Sequence, residues 1–111
     1  MFEKLFEIAK ESLTDACDKK PKEQVTVLFS DKNNYYIAVD DFDGLICEEL
    51  RRNNDTKIVR LLTMWKGENI DLPSITFRRA LVELDEYNED TVIILQGKES
   101  HIIKKLSVTM P

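Results

Sequence analysis

Few side chains in this sequence could do chemistry. Cys47 stands two residues before Glu49 in the phrase Cys47-Glu48-Glu49, and Ser74 follows Pro73, three residues ahead of Phe77. The other thiol is Cys17, and the single histidine is His101. Thiols 30 residues apart in a chain expected to be cytosolic read as separate groups rather than a disulfide. One histidine limits both metal binding and acid–base work near neutral pH. Ser74 could be a nucleophile, but no His–carboxylate pair accompanies it. After a proline it reads as the N-cap of a helix. Asp40, Asp41 and Asp43, with Glu48 and Glu49 beyond them, are oxygen ligands of the kind Mg²⁺ or Ca²⁺ takes. Their spacing matches no calcium loop, so a solvated acidic loop is expected. Trp65 could stack a ligand or close the end of a sheet.

The elements that must position these groups follow from periodicity. Phe2, Leu5, Phe6, Ala9, Leu13, Ala16 and Cys17 recur at three- and four-residue spacing. This predicts an amphipathic helix over 2–18, with Cys17 on its inert apolar face. Pro21 ends it. QVTVLFS (24–30) and YYIAVD (35–40) are β-rich, and the Asp31–Asn34 break between them predicts a hairpin. A short helix over about 45–52 follows Gly44. KIVRLLTMWK (57–66) predicts a strand covered on both faces, and 67–73 a loop. SITFRRALVELDEY (74–87) reads as a helix with Phe77, Ala80, Leu81, Leu84 and Tyr87 on one face. TVIIL (91–95) is a buried strand. Gly97–Ser100 is too short for a crossover, so HIIKK (101–105) returns antiparallel, and the tail ends in a turn or irregular coil. The expected fold is a three-layer α/β/α single domain over 1–111: a mixed five-stranded sheet, helices on both faces, the last two strands antiparallel.

The 111 residues are 42% hydrophobic, enough for a core, with three Gly and three Pro. No apolar run approaches the roughly 18 residues of a membrane span. The acids within MFEKLFEIAKE argue against a signal peptide, so a cytoplasmic location is the default expectation. A net charge of −5 repels a phosphate backbone, and nucleic acid is not an expected partner. The basic pairs Lys19-Lys20, Arg51-Arg52, Arg78-Arg79 and Lys104-Lys105 are scattered and read as solvated faces.

In its order of elements, nearly the whole chain resembles the cytidine deaminase superfamily. There a helix opens with Cys-Ala-Glu or His-Ala-Glu, and Pro-Cys-x-x-Cys opens the next. This sequence has Cys47-Glu48-Glu49 and Pro73-Ser74-Ile75-Thr76-Phe77, followed by Arg78-Arg79-Ala80-Leu81 and Asn88 to Leu95 in similar phrasing. A hydrolytic zinc needs three protein ligands and one open position for water, while a glutamate shuttles protons without binding the metal. The resemblance implies that Cys47 is a vestigial first ligand, that Glu49 is a vestigial proton shuttle, and that Ser74 and Phe77 stand at the lost second and third ligand positions. A hydroxyl is a poor zinc donor and a phenyl ring is none. Leu50 replaces an arginine usual after the glutamate, and Val39–Asp43 lacks the Asn-x-Glu phrase that holds ribose and base.

Each residue also has a plain structural reading. Phe77 packs in the core, filling the volume of metal and thiolate. Cys47 is either a vestigial ligand or a small buried apolar residue. Glu49 is either vestigial or one of two acids favoured by a helix dipole. The expected function is non-catalytic binding or assembly on a deaminase-like fold, with no cofactor. The antiparallel last two strands resemble the free-nucleoside branch of that superfamily, which implies a homo-oligomer, and a nucleoside-like molecule is the candidate ligand. The alternative is an active nucleoside deaminase with an altered metal site and zinc. A third reading, without the resemblance, is a small acidic interaction module.

Overall fold

The computed structural model describes residues 2–13, 22–96 and 101–109, with the side chains of 2, 96 and 101–104 left aside. Helix α1 spans Phe2–Leu13, and strands β1 (Gln24–Ser30) and β2 (Tyr35–Val39) form a hairpin. Helix α2 (Ile46–Arg52), strand β3 (Ile58–Trp65), strand β4 (Asn69–Ile70), helix α3 (Ile75–Leu84), strand β5 (Val92–Gln96) and strand β6 (His101–Lys105) follow. The sheet runs β2-β1-β3-β5-β6, with two-residue β4 appended to β3. The β3–β5 pair is parallel, while β1–β2, β1–β3 and β5–β6 are antiparallel. This is the expected mixed sheet of five principal strands.

Alternation along the strands sorts the core onto two faces. Val25, Val27, Leu62, Met64 and Ile94 face Leu5 and Ala9 of α1. Leu28, Leu61 and Ile93 face Ile46, Cys47 and Leu50 of α2 and Phe77 and Leu81 of α3. The central strand β3 is therefore covered on both sides. The hairpin turns at Asn33, whose φ is +65°, a conformation asparagine tolerates.

Three details differ from the expectations. The 67–73 stretch is not all loop, since Asn69 and Ile70 pair with Trp65 and Met64. The helix expected over 74–87 stops at Leu84. Asp85 is extended and its Oδ1 accepts from the Tyr87 N–H at 3.0 Å, opening a 3-10 turn over Glu86–Asp90. Tyr87 is consequently exposed instead of sharing the apolar face. Asn88 takes the inside position: its amide donates to the Thr56 and Leu81 carbonyls, both at 2.9 Å, and accepts from the Ile58 N–H at 2.8 Å. Cys17 and the turn at 97–100 lie outside the described residues. Among the described residues no helix is long and apolar enough to cross a membrane.

Candidate functional site

Cys47, Ser74 and Phe77 are brought together where α2 and α3 begin, over one end of the sheet. Asp41 builds this corner. Its Oδ1 accepts from the Gly44 and Leu45 N–H groups at 2.9 and 2.8 Å, and its Oδ2 from Ile46 N–H at 2.9 Å. One carboxylate thus satisfies the N-cap and first helical N–H groups together with one from the loop before them. Gly44 has φ +83°, and a Cβ there would stand 2.5 Å from the Ala80 Cβ. A glycine is needed for the backbone conformation and for the close approach to α3.

Ser74 is the N-cap of α3. Its hydroxyl accepts from Phe77 N–H at 3.2 Å and donates to the Phe42 carbonyl. The same side chain therefore starts a helix and ties down the 40–44 loop. The Phe42 ring, partly exposed, lies 6.0 Å from the Trp65 ring, and the Trp65 indole N–H donates to Leu72 O at 3.1 Å. Trp65 is thereby fixed over the sheet end.

Beneath this cover, Cys47 and Phe77 share one apolar cluster with Leu50, Leu61, Leu81 and Ile93. Phe77 is fully buried and Cys47 nearly so. Burial pushes the Cys47 thiol up to about 11, with Asp41 adding to the rise and Arg51 opposing it. It stays protonated at neutral pH, where only the thiolate is a nucleophile or metal ligand. Glu49 lies elsewhere: it is exposed and lines a groove of about 360 Å³ with Asp40, Asp41, Leu45, Glu48 and Arg52. Asp40 is spent on the backbone, accepting from the Glu23 and Gln24 N–H groups at 2.8 and 2.9 Å. His101 is on edge strand β6, with β5 between it and β3. Among the described residues no group of three His, Cys, Asp or Glu side chains is placed to hold a metal ion.

Two buried polar residues, at opposite ends of β1, went unread in the sequence. Gln24 is 1% exposed, and among the described residues neither its amide oxygen nor its nitrogen has a hydrogen-bond partner. It pairs with Trp65 across β1–β3 and alternates with Thr26, whose hydroxyl meets that of Thr63 at 2.8 Å. Gln24 thus sits on the α2–α3 side of the sheet, near the covered end. Asp55, also 1% exposed, receives the Ser30 and Tyr36 hydroxyls at 2.8 Å and the Asn34 amide at 3.0 Å, all on Oδ2. Burial pushes its carboxyl up, but these three bonds and the Lys32 charge outweigh burial and hold it below the usual range. No sequence pattern separates these two from the exposed acids and amides around them.

No protein-family model and no curated protein matches the sequence. Among solved structures, a glutamate-to-glutamine mutant of cytidine deaminase from Mycobacterium tuberculosis is similar, with a TM-score of 0.69. The match covers 100% of this chain and 95% of that one at 11% identity. The chain has a cytidine deaminase-like fold, and identity this low carries no residue roles with it.

Proposed function

We propose that this chain is a cytoplasmic, non-catalytic protein on a cytidine deaminase-like fold, acting through binding or assembly. One observation carries the reading: the fully buried Phe77 ring packs in the same apolar cluster as Cys47. Deaminases of this fold act with zinc, and the residues present do not fit that ion. A phenyl ring offers no donor, and the Ser74 hydroxyl already serves the backbone on both sides. Cys47 alone could give a thiolate, since a metal deprotonates the thiol it binds, and Glu49 faces water. One sulfur cannot build a tetrahedral open site. Binding takes two forms in this reading, a nucleoside-like ligand at the covered end of the sheet and association with further copies of the chain.

Metal analysis of protein purified without chelators tests the proposal, read beside ammonia release from a panel of cytosine and adenine nucleosides. The expected result is far less than one zinc per chain and no ammonia above buffer. One tightly held zinc, or metal-dependent release, overturns it. The second reading, an active nucleoside deaminase with an altered metal site, draws on Cys47 and Glu49 sharing the short helix α2. It requires donors from a neighbouring subunit, and the same two measurements decide it.

A further inference from the structure

Strand β2 is an edge of the sheet, paired only with β1 among the described strands. The direction of its free backbone groups follows from the hairpin. Asp40 N–H donates to Gln24 O at 3.0 Å, and Ser30 N–H to Asn34 O at 2.9 Å. These two bonded pairs bracket the ladder and set its parity, so Thr26–Ala38 and Leu28–Tyr36 are the bonded pairs between them. Tyr35, Ile37 and Val39 therefore turn both N–H and C=O to the open edge.

This edge lacks the usual protection. Its sequence YYIAV contains no charge, no proline and no bulge, whereas natural edges are commonly blunted by such devices. The side chains of Tyr35, Ile37 and Val39 are 42%, 46% and 42% exposed. They lie on the α1 face of the sheet, and α1 packs instead on β1 and β3.

Both faces beside the edge are grooved, and their chemistry differs. On the α1 face a groove of about 480 Å³ runs between Glu3, Lys4 and Glu7 of that helix and Phe29, Tyr35 and Arg60, so its two acids are offset by two bases. The Phe29 and Tyr35 rings, 4.8 Å apart, give it an aromatic wall. On the α2 face, the groove of about 360 Å³ carries Asp40, Asp41, Glu48 and Glu49 against Arg52 alone. A strand added to β2 sends alternate side chains to these two faces. We infer that β2 is a docking edge for an extended segment of a partner protein that alternates apolar with basic residues. Apolar side chains join Tyr35, Ile37 and Val39, and lysines or arginines meet the carboxylates of the α2 groove. Six backbone groups supply affinity, and the grooves supply selectivity. A second copy of this chain is the poorer occupant, because β2 itself carries no basic residue and the chain is acidic. The surface shares Asp41 and Glu49 with the corner described above, but the inference rests on the open backbone of β2 and holds whether or not that site is catalytic.

The test uses the full chain and a short synthetic peptide alternating lysine with valine. The expected result is slowing of amide exchange at Tyr35, Ile37 and Val39 by about tenfold or more when peptide is added. Glu48→Lys with Glu49→Lys should weaken binding about tenfold and flatten its salt dependence. Ile37→Pro removes one outward N–H and leaves the β1 ladder intact, so it should abolish binding. Ile37→Lys keeps that N–H and repels the peptide, and serves as the second blocking variant should the proline variant fail to fold. Equal binding of a glutamate–valine peptide, or unchanged affinity in the folded Ile37 variants, overturns the inference. So does protection of the three amides by the protein's own dimerisation at rising concentration. None of these outcomes alters the zinc measurement.

Discussion

Gly44 and Ala80 meet so closely that a Cβ on the glycine would stand 2.5 Å from that of the alanine. This contact joins the start of α2 to the middle of α3 and sets how the two helices lie over the sheet. Gly44→Ala should therefore destabilise the protein by about 2–4 kcal/mol, combining left-handed strain with overpacking. Ala80→Gly in the same chain relieves the clash but not the strain. Urea denaturation of both single variants and the double variant measures the coupling. An additive result would show that the contact does not govern the corner.

Phe77 is the largest fully buried side chain in the cluster beneath α2 and α3. Phe77→Ala is expected to cost about 3–5 kcal/mol. The check is the denaturant midpoint, which should fall with little change in slope. An unchanged midpoint would mean that the ring is not filling the core.

Gln24 makes the opposite prediction. Among the described residues its buried amide has no partner at either end, and an unsatisfied buried polar group is costly. Gln24→Met keeps the length of the side chain and removes both polar atoms. Thermal melting should show a gain of about 1 kcal/mol. A loss of stability would indicate that the amide does find partners in solution.

Asp55 links stability to acid. Its carboxyl is held below the usual range in the folded chain, so folding favours the ionised form. That contribution is complete above the unfolded pKa of about 3.9 and is lost as pH falls through the lower folded value. Wild type should lose stability more steeply than Asp55→Asn below about pH 4. Asp55→Ala strands the donors of Ser30, Asn34 and Tyr36 and should cost about 3 kcal/mol at neutral pH. Parallel pH curves for wild type and Asp55→Asn would remove this account.

Cys47 should be inert. With its thiol pushed up to about 11 and the side chain 4% exposed, alkylation at pH 8 should be slow in the native protein and fast in denaturant. Mass spectrometry of the peptide containing Cys47 separates it from Cys17. Rapid native labelling at Cys47 would contradict its burial.

Much of the framework was legible in advance because periodicity is a local property. The spacing of Leu5 and Ala9 names the inner face of α1, and the alternation of Val25 and Val27 with Thr26 and Leu28 names both faces of β1. Asn33 marked the hairpin because few residues accept its backbone conformation. The break after Leu84 was missed because Phe77, Leu81, Leu84 and Tyr87 keep a helical rhythm through it. Asp85 and Asn88 overrule that rhythm with bonds to Thr56 and Ile58, 29 and 30 residues away.

The sequence alone settled the order of elements, the antiparallel return of the last strand and the poverty of metal-binding side chains, since these depend on residue type and spacing along the chain. Tertiary structure alone decided which polar groups lie inside. Asp55 is buried and Glu49 exposed although both are acids flanked by polar neighbours, because burial depends on what other elements bring across. Three donors from the β1–β2 hairpin reach Asp55, while Glu49 lies on the solvent side of α2. The open edge of β2 is likewise a fact of assembly: its residues read as an ordinary strand, and the sheet order leaves one side of it unpaired among the described strands.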